Sequence, residues 1–515
     1  EYNDADEAAA PSLARKSHNC PRCFSSLLRE GRWWRQAREA YKSTELYSPP
    51  NPYGWPMTNR TTQVMDAIRH MIAERTLLAG ERVPSIRGLA AKMGVSPSTV
   101  VEAYDRLVAD GVILSRPGSG FYVANRAAFT NLRPQATDLD RSVDPLWVSR
   151  QSLDAAHGVL KPGCGWMPPD WMPQAAIRRA LRQISRSDDA LLADYGSSRG
   201  GQDLRHLLAR QCAEEGLPVD PDMVLLIGSG SQTLDLICRL LLRPGDTVLV
   251  DDPCYFNFQA LLRVLGVRIV SVPFTREGPD LTAFAEALRI HRPSLYLTNS
   301  ALQNPTGATL SAQTAHRLLL LASEWDLTIV EDDTFATLEP DLSPRLAILD
   351  GLQRVIRIGS FSKTLSAAAR CGYVVARPEL VEALTDLQVA TNFGGPSPVA
   401  AEIVRITLAD GSYRKHIVAT RTRLARARRD ASESLERLGI VPWLMPRGGF
   451  YLWCQLPEGK DAQSLARTVL ESGIILAPGN VFSAAGTAGD FLRLNVSQVA
   501  PSIYEELAKA LRTVA

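Results

Sequence analysis

The chain has 515 residues, which corresponds to about three domains of ordinary size and excludes a minidomain. Hydrophobic residues make up 45% and charged residues 22% of the sequence, so the chain can bury a large core and is not disordered throughout. The net charge of +2 argues against a nucleic-acid binder that is basic over its whole surface, but it allows a local basic face.

The eight cysteines are too few for a disulfide framework in a chain of this length, so a reducing cytoplasm fits best. The N-terminus lacks a basic segment followed by an apolar one, and we expect neither secretion nor membrane insertion. Residues 1–57 show no sustained periodicity and are predicted to be a poorly ordered extension. Cys20 and Cys23 look like half of a zinc site, but no second pair lies near them, so we expect free thiols and no metal.

Residues 58–126 show three helical patterns followed by a hairpin pattern. Apolar residues recur at helical spacing from Thr61, and Ser85 and Ser96 stand where N-caps of a second and a third helix are expected. Residues 117–120 separate two short apolar segments, which predicts a β-hairpin with a glycine-rich tip. This order describes a winged helix-turn-helix, whose third helix can enter a major groove. Nine basic and six acidic residues make the segment modestly basic.

Three stretches of this segment closely resemble the GntR family of bacterial transcription regulators: GERVPSIR at 80–87, VSPSTV at 95–100 and RPGSGF at 116–121. The resemblance implies DNA binding in which phosphate contacts dominate the affinity. Pro97 stands where many members carry arginine, so direct base readout at that position is lost. The alternative is a helical interaction module that never binds DNA. The resemblance assigns operator contacts to Arg87, Ser96, Ser98 and Thr99, and minor-groove contacts to Arg116 and the glycine tip.

Residues 127–160 lack a clear period and are predicted to be an interdomain linker, in which residues 146–148 are apolar enough to dock on a folded unit. Residues 161–515 alternate helical stretches with short apolar runs that lack polar alternation. Such runs are typical of strands buried on both faces. The predicted fold class is therefore α/β, with a mostly parallel sheet covered by helices. Ligands of such sheets bind at the carboxyl ends of the strands, so the residues that follow each run are candidate site residues.

Several of the predicted strands are followed directly by a short motif that contains polar or aromatic residues. GSGSQ at 228–232 opens a helix whose free amides can hold phosphate. A pyridine aldehyde phosphate needs phosphate donors, an amine for a Schiff base, a carboxylate that keeps its ring nitrogen protonated, and a stacking ring. Each residue alone is more often a surface or core residue, and only their joint occurrence indicates this site. The other strand-end motifs are DDPCY at 251–255, NPTG at 304–307, EDD at 331–333 and SFSK at 360–363.

From about Gly165 to the C-terminus, these parts and their order resemble the fold-type I pyridoxal-phosphate aminotransferases. By this resemblance Lys363 is the catalytic residue that binds the cofactor covalently, and Asp332 pairs with the ring nitrogen. Thr334 and Phe335 stand where many relatives carry a tyrosine that donates to the cofactor ring. The resemblance assigns stacking on the ring to Tyr255, a hydrogen bond with the ring hydroxyl to Asn304, phosphate binding to Gly230, Ser231, Gln232, Ser360, Ser362 and Arg370, contact with the neighbouring subunit's phosphate to Tyr195, and binding of a substrate α-carboxylate to Arg493.

A GntR-like winged helix joined to an aminotransferase-like domain is similar to the MocR-type subfamily of bacterial regulators. The resemblance implies a head-to-tail homodimer that binds operator DNA and senses an amino acid or amine through pyridoxal phosphate. Two alternatives stay open: an active aminotransferase with an accessory N-terminal module, and a cofactor reservoir that regulates through pyridoxal phosphate level. The presence of both Lys363 and Arg493 favours a protein that engages an amino acid over a simple reservoir.

Overall fold

The chain divides into two compact units, Glu1–Thr137 and Asp138–Ala515, which we call the N-terminal unit and the C-terminal unit. Within the described ranges no helix is both long and apolar enough to cross a membrane, and no cluster of three or more His, Cys, Asp or Glu side chains could hold a metal. The predictions for residues 1–57 lie outside the described residues. The structure is a computed structural model, and it describes residues 60–73, 76–78, 80–116, 118–124, 145–156 and 158–514.

The N-terminal unit consists of three helices followed by an antiparallel hairpin, as the sequence predicts, and the winged helix-turn-helix is confirmed. Its elements are α1 (Arg60–Ala73), α2 (Ile86–Met93), α3 (Pro97–Ala109), β1 (Ile113–Arg116) and β2 (Gly120–Val123).

Local sequence signals determine where α2 and α3 begin and end. Ser85 and Ser96 each accept a hydrogen bond from the backbone N–H three residues further on, so both act as N-caps. Pro97 occupies the first turn of α3, where the missing N–H has no consequence. Gly94 ends α2 in the left-handed conformation with φ 64°, which glycine adopts at no steric cost.

One apolar cluster holds these elements together. Val64 of α1, Leu89 of α2, Leu107 of α3 and Ile113 of β1 are all buried in it. Tyr104 joins the core with its ring and donates its hydroxyl to the Pro84 carbonyl at 2.8 Å, which ties α3 to the segment before α2. The core positions are therefore the ones that the helical spacing predicts.

A fourth helix, α4 (Pro145–Asp154), lies inside the range 127–160 that the sequence predicts as a linker. Trp147 and Val148 are 7% and 1% exposed, and they pack with Phe256 and Phe482 of the C-terminal unit. The range predicted as a linker thus contains a docked helix, and its role as a linker stays a prediction. The expected docking of its apolar residues is confirmed. A helix of ten residues is marginally stable alone, so burial against residues that are distant on the chain stabilises it.

The C-terminal unit contains a large sheet, a small sheet and the helices around them. Its helices are α5 (Gln174–Ile184), α6 (Asp189–Ala193), α7 (Gln202–Glu214), α8 (Gly230–Leu241), α9 (Phe256–Val264), α10 (Leu281–His291), α11 (Ala312–Glu324), α12 (Leu346–Asp350), α13 (Pro378–Asn392), α14 (Pro398–Ala409), α15 (Ser412–Glu436), α16 (Ala462–Glu471) and α17 (Pro501–Thr513). Its strands are β3 (Val224–Ile227), β4 (Thr247–Asp252), β5 (Arg268–Thr275), β6 (Gly278–Pro279), β7 (Leu295–Thr298), β8 (Thr328–Asp332), β9 (Val355–Ser360), β10 (Gly372–Val375), β11 (Val441–Pro442), β12 (Tyr451–Gln455), β13 (Ala477–Pro478) and β14 (Phe491–Asn495).

The large sheet has the strand order β3-β10-β9-β8-β7-β4-β5-β6. The neighbours β9, β8, β7, β4 and β5 run parallel, whereas β10 is antiparallel to both of its neighbours. Strands β3 and β7 are buried at every position, as expected for strands covered on both faces. The predicted α/β fold with a mostly parallel sheet is confirmed.

The small sheet is antiparallel, with the order β11-β12-β14-β13, and has a core of its own. Leu452 of β12 and Leu492 of β14 are fully buried there against Leu465 of α16 and Leu507 of α17. The same strands carry Tyr451 and Arg493, so this sheet supplies one wall of the site.

Candidate functional site

The carboxyl ends of the parallel strands open on a cavity of about 580 Å³, a volume in the usual range for small-molecule sites. Strands β8 and β9 end in Asp332 and Ser360, and Lys363 and Asn304 follow β9 and β7 on the chain. Ten of the residues proposed from the sequence for the cofactor and its ligand line this one cavity: Gly230, Ser231, Tyr255, Asn304, Asp332, Ser360, Ser362, Lys363, Arg370 and Arg493.

The Lys363 amine lies in the interior and donates to the Gly165 carbonyl at 2.7 Å. Burial, followed by the positive charge of Arg493, lowers the pKa of Lys363 to about 8. A Cβ at Gly165 would lie 3.8 Å from the lysine Nζ and 3.3 Å from the Tyr451 hydroxyl, so glycine keeps the space beside the amine open. The amine is therefore more often neutral, and hence nucleophilic, at physiological pH than an exposed lysine.

Asp332 is a buried carboxylate at the end of β8. Its Oδ1 accepts from the backbone N–H of Thr334 at 3.1 Å and from the Thr334 hydroxyl at 2.5 Å. Burial raises the pKa of Asp332, and the Thr334 hydrogen bonds oppose that shift. A protonated pyridine nitrogen beside this carboxylate would compensate its burial, so the environment of Asp332 fits the expected ring.

Gly230 and Ser231, two of the residues predicted to bind phosphate, lie at the N-terminus of α8. Ser229 caps this helix by accepting from the Gln232 N–H at 3.1 Å, and the Ser360 hydroxyl donates to the Ser362 hydroxyl at 3.1 Å. Free N–H groups at a helix N-terminus bind anions. Gln232 does not line the cavity: its Oε1 would come within 2.6 Å of a Cβ on Gly228, so its side chain turns back toward that turn.

Arg493 is fully buried and held on several sides. Its guanidinium stacks over the Tyr451 ring at 4.3 Å, donates to Asn304 Oδ1 at 2.9 Å and donates to the Gly163 carbonyl at 2.7 Å. Its Nε has no hydrogen-bond partner among the described residues. A buried, unpaired guanidinium N–H in a cavity wall is suited to a carboxylate ligand.

Tyr255 and Tyr195 differ in position. Tyr255 lines the cavity, accepts from the Asn257 amide at 2.7 Å, and burial raises its pKa to about 12. Tyr195 does not line the cavity and is 80% exposed, with its ring against that of Phe393, itself 67% exposed, at 4.9 Å. Its contact with a neighbouring subunit stays a prediction.

Sequence reasoning did not assign three features of the cavity. Tyr451 stacks on Arg493, Thr334 bonds Asp332, and α4 contributes Val148, Ser149, Ser152 and Leu153 to the wall. The hydroxyl of Thr334 stands two residues after the ring-nitrogen aspartate, which is the signal that could have suggested its role. Neither the contact of Tyr451 with Arg493 nor the place of α4 in the cavity wall could be predicted without knowing the chain path.

The predicted DNA-contacting residues lie at the surface of the N-terminal unit. Arg87 on α2, Ser96 and Ser98 are exposed. The Ser96 hydroxyl forms hydrogen bonds of 2.7 Å with Ser98 and 2.8 Å with Thr99 in addition to capping α3. The Arg116 guanidinium stacks over the ring of Tyr122 at 4.4 Å, which holds it on the hairpin.

Comparison with known proteins agrees with both units. The family described as "Aminotransferase class I and II" matches residues 168–511, and the one described as "Bacterial regulatory proteins, gntR family" matches residues 60–123. The HTH-type transcriptional regulator YdcR of Escherichia coli, whose own description calls it uncharacterized, is 30% identical over 84% of this chain and 94% of its own length. The HTH-type transcriptional regulator TauR of Rhodobacter capsulatus is 30% identical over 86% of this chain and 96% of its own length.

A solved structure is similar to the C-terminal unit. It is the α-aminoadipate aminotransferase LysN of Thermus thermophilus in complex with N-(5'-phosphopyridoxyl)-L-leucine. The TM-score is 0.65 at 29% identity, over 71% of this chain and 94% of the enzyme.

Proposed function

Because this chain belongs to the MocR-type subfamily of GntR-family transcription regulators, with an aminotransferase class I and II domain after its winged helix, we propose that it regulates transcription in response to an amino compound. In this proposal the winged helix binds operator DNA, and the C-terminal unit holds pyridoxal phosphate and the effector.

One observation carries the proposal: Lys363, Asp332, Asn304 and Arg493 line the same cavity, in a chain that also has a winged helix. When bound, pyridoxal phosphate supplies an aldehyde that reacts with amines and a ring that withdraws electrons. Lys363 would bind the aldehyde, Asp332 would hold the ring nitrogen protonated, and Asn304 would bond the ring oxygen. The N-terminus of α8 would bind the phosphate together with Ser231, Ser360, Ser362 and Arg370.

The remaining polar group in the cavity suits the effector. Arg493 Nε would donate to the α-carboxylate of an amino acid, while Tyr451 and the Gly163 carbonyl keep the guanidinium in place. Lys363 would hold the cofactor aldehyde beside this carboxylate site, and its lowered pKa favours the neutral amine there. Effector binding would thus alter both the charge and the contacts of the cavity.

A head-to-tail homodimer is part of the proposal. Tyr195 and Phe393 form an exposed aromatic pair, and exposed aromatic side chains are typical of protein interfaces. Two winged helices in a dimer would bind two operator half-sites, with Arg87 and the hydroxyls of Ser98 and Thr99 close to the DNA.

The first experiment measures visible absorption of the full-length protein after addition of pyridoxal phosphate. We expect a visible band that is lost completely in Lys363→Ala and is kept in Lys415→Ala, a control on the exposed part of α15. A colourless wild-type protein would refute cofactor binding. The second experiment compares a duplex from upstream of its own or an adjacent gene with a random duplex, and equal affinity for the two would refute operator recognition.

A working aminotransferase is the second candidate, because the amine of Lys363 and the guanidinium of Arg493 are what such an enzyme needs. Half-transamination separates the two functions. Rapid release of a keto acid followed by regeneration of the cofactor would favour the enzyme, whereas binding without turnover would favour the regulator.

A further inference from the structure

Helix α4 forms part of the wall of the ligand cavity, although the sequence places it in a linker. Val148, Ser149, Ser152 and Leu153 line the cavity, and their spacing puts them on one side of the helix. Trp147 and Val148 anchor the helix by packing in one cluster with Phe256 and Phe482. The segment that lines the cavity is therefore held in position by a hydrophobic contact.

The Ser152 hydroxyl is the unusual group on this helix. Ser152 is 2% exposed, and its Oγ has no hydrogen-bond partner among the described residues. A serine inside a helix commonly either faces solvent or donates to the carbonyl four residues earlier, but Ser152 is buried and makes no such bond to Val148. Buried polar groups in folded proteins are almost always hydrogen-bonded, so an unbonded hydroxyl on a residue that lines a ligand cavity points to a bond with the ligand.

The charges of the cavity restrict what such a ligand can be. Among the described residues, the charged groups that line it are Asp332, Lys363, Arg370 and Arg493. The proposed function uses the first three for the cofactor and Arg493 for the α-carboxylate, so no charged group is left to pair with a charged side chain. Burying an unpaired charge is costly, and the effector side chain is therefore uncharged.

We propose that Ser152 determines effector specificity by a hydrogen bond to the side chain of a bound α-amino acid, and that this side chain is uncharged and carries a hydrogen-bonding group. Val148 and Leu153 contact its apolar part. The inference rests on the proposed function and names the class of effector for the same site.

The test is a spectral titration of the full-length protein loaded with pyridoxal phosphate. The probes are three pairs of amino acids that match in size and differ in a polar group: L-threonine and L-valine, L-glutamine and L-methionine, L-tyrosine and L-phenylalanine. We expect the polar member of at least one pair to bind more tightly by roughly three- to tenfold, the usual effect of one neutral hydrogen bond. We also expect L-glutamine to bind more tightly than L-glutamate.

The variant Ser152→Ala should abolish the preference within the pair. The matched control is Thr407→Val on α14, which also removes a buried hydroxyl without a partner among the described residues but lies outside the cavity lining. It should keep the preference. Since Ser152→Ala removes a hydroxyl that is not bonded, thermal unfolding and the visible band should match those of the wild-type protein.

The outcomes distinguish the inference from the function on which it rests. A coloured wild-type protein that shows no preference in any pair, or a preference that survives in Ser152→Ala, overturns the role of Ser152 and leaves the proposed function standing. Tighter binding of L-glutamate than of L-glutamine in the wild-type protein overturns the effector class without any variant. A wild-type protein without a visible band removes both.

Discussion

The two units use polar side chains in opposite ways. In the N-terminal unit the polar groups assigned to function lie at the surface, and their contacts are local: Ser96 bonds Ser98 and Thr99, two and three residues away. In the C-terminal unit Asn304, Asp332 and Arg493 are buried, whereas Ser231 and Arg370 at the predicted phosphate end are exposed. Contacts there are distant on the chain: Lys363 bonds Gly165 across 198 positions, and Arg493 bonds Gly163 across 330. A surface site can thus be altered with little effect on the fold, whereas the buried site is part of the core.

The largest effect is expected in a buried ion network of the C-terminal unit. Asp333 pairs with Arg345 at 2.6 Å and with Arg357 at 2.6 Å, and all three side chains are at most 3% exposed. Asp333→Ala would leave two buried guanidinium groups short of a partner, so we expect a loss of about 3–5 kcal/mol in the free energy of unfolding. Chemical denaturation of the full-length protein measures it.

The matched control is the pair Arg69–Asp110 of the N-terminal unit, which has the same chemistry at 2.7 Å but is 45% and 47% exposed. Asp110→Ala should cost less than about 1 kcal/mol. Equal losses in the two variants would break the comparison between the units.

A pH dependence tests the buried amine. Because burial and Arg493 lower the pKa of Lys363 to about 8, the neutral amine becomes the main form above that pH rather than above the ordinary lysine value. The rate at which the visible band appears after mixing with pyridoxal phosphate should rise about tenfold from pH 6 to 7 and level off above about pH 8. In Arg493→Gln the levelling should move to higher pH, because the second cause of the shift is removed. A rate that keeps rising to pH 10 in the wild-type protein would contradict the lowered pKa.

Arg87→Ala tests the surface site. If it removes one phosphate contact, the slope of log affinity for DNA against log salt falls by about 1, and affinity at 0.15 M salt falls roughly fivefold. Unfolding and the visible band should not change. Arg106→Ala is the control, since Arg106 already pairs with Glu102 at 2.6 Å on the same unit. Equal DNA affinity of the two variants would contradict the expected phosphate contact of Arg87.

The smallest expected effect separates two neighbouring hydroxyls. Ser96→Ala removes the N-cap of α3 and should lower the stability of the N-terminal unit by about 1 kcal/mol, whereas Ser98→Ala should leave stability unchanged and affect only DNA binding. Thermal unfolding and DNA affinity of the two variants give the answer. Identical behaviour would mean that the cap contributes nothing here.

How far each unit can be predicted from the sequence depends on the same difference between local and distant contacts. The helices of the N-terminal unit follow from Ser85, Gly94 and Ser96, because caps and periodicity act within a few residues. The buried strands and the cavity-lining residues after them were predicted because parallel strands bring their carboxyl ends together. The helical state of residues 145–154 could not be predicted, because it depends on packing with Phe256 and Phe482, far away on the chain.

Side-chain direction was the other limit. Gln232 belongs to the predicted phosphate motif, yet its side chain turns toward Gly228, a rotamer choice that no motif specifies. Tyr451 lies on β12 opposite Asn495 of β14, a register that only the folded small sheet defines. Its stacking on Arg493 is therefore a consequence of strand pairing.

Asn304 connects two subsites through the two ends of one amide. A guanidinium can only donate, so the 2.9 Å contact with Arg493 fixes the oxygen of Asn304 toward the arginine and directs its NH₂ group elsewhere. In the proposed function the amide would donate to the cofactor while it accepts from Arg493, which would bind the effector. In the proposed function one amide side chain would therefore join the cofactor to the clamp on the effector, so a change in either contact would be felt by the other.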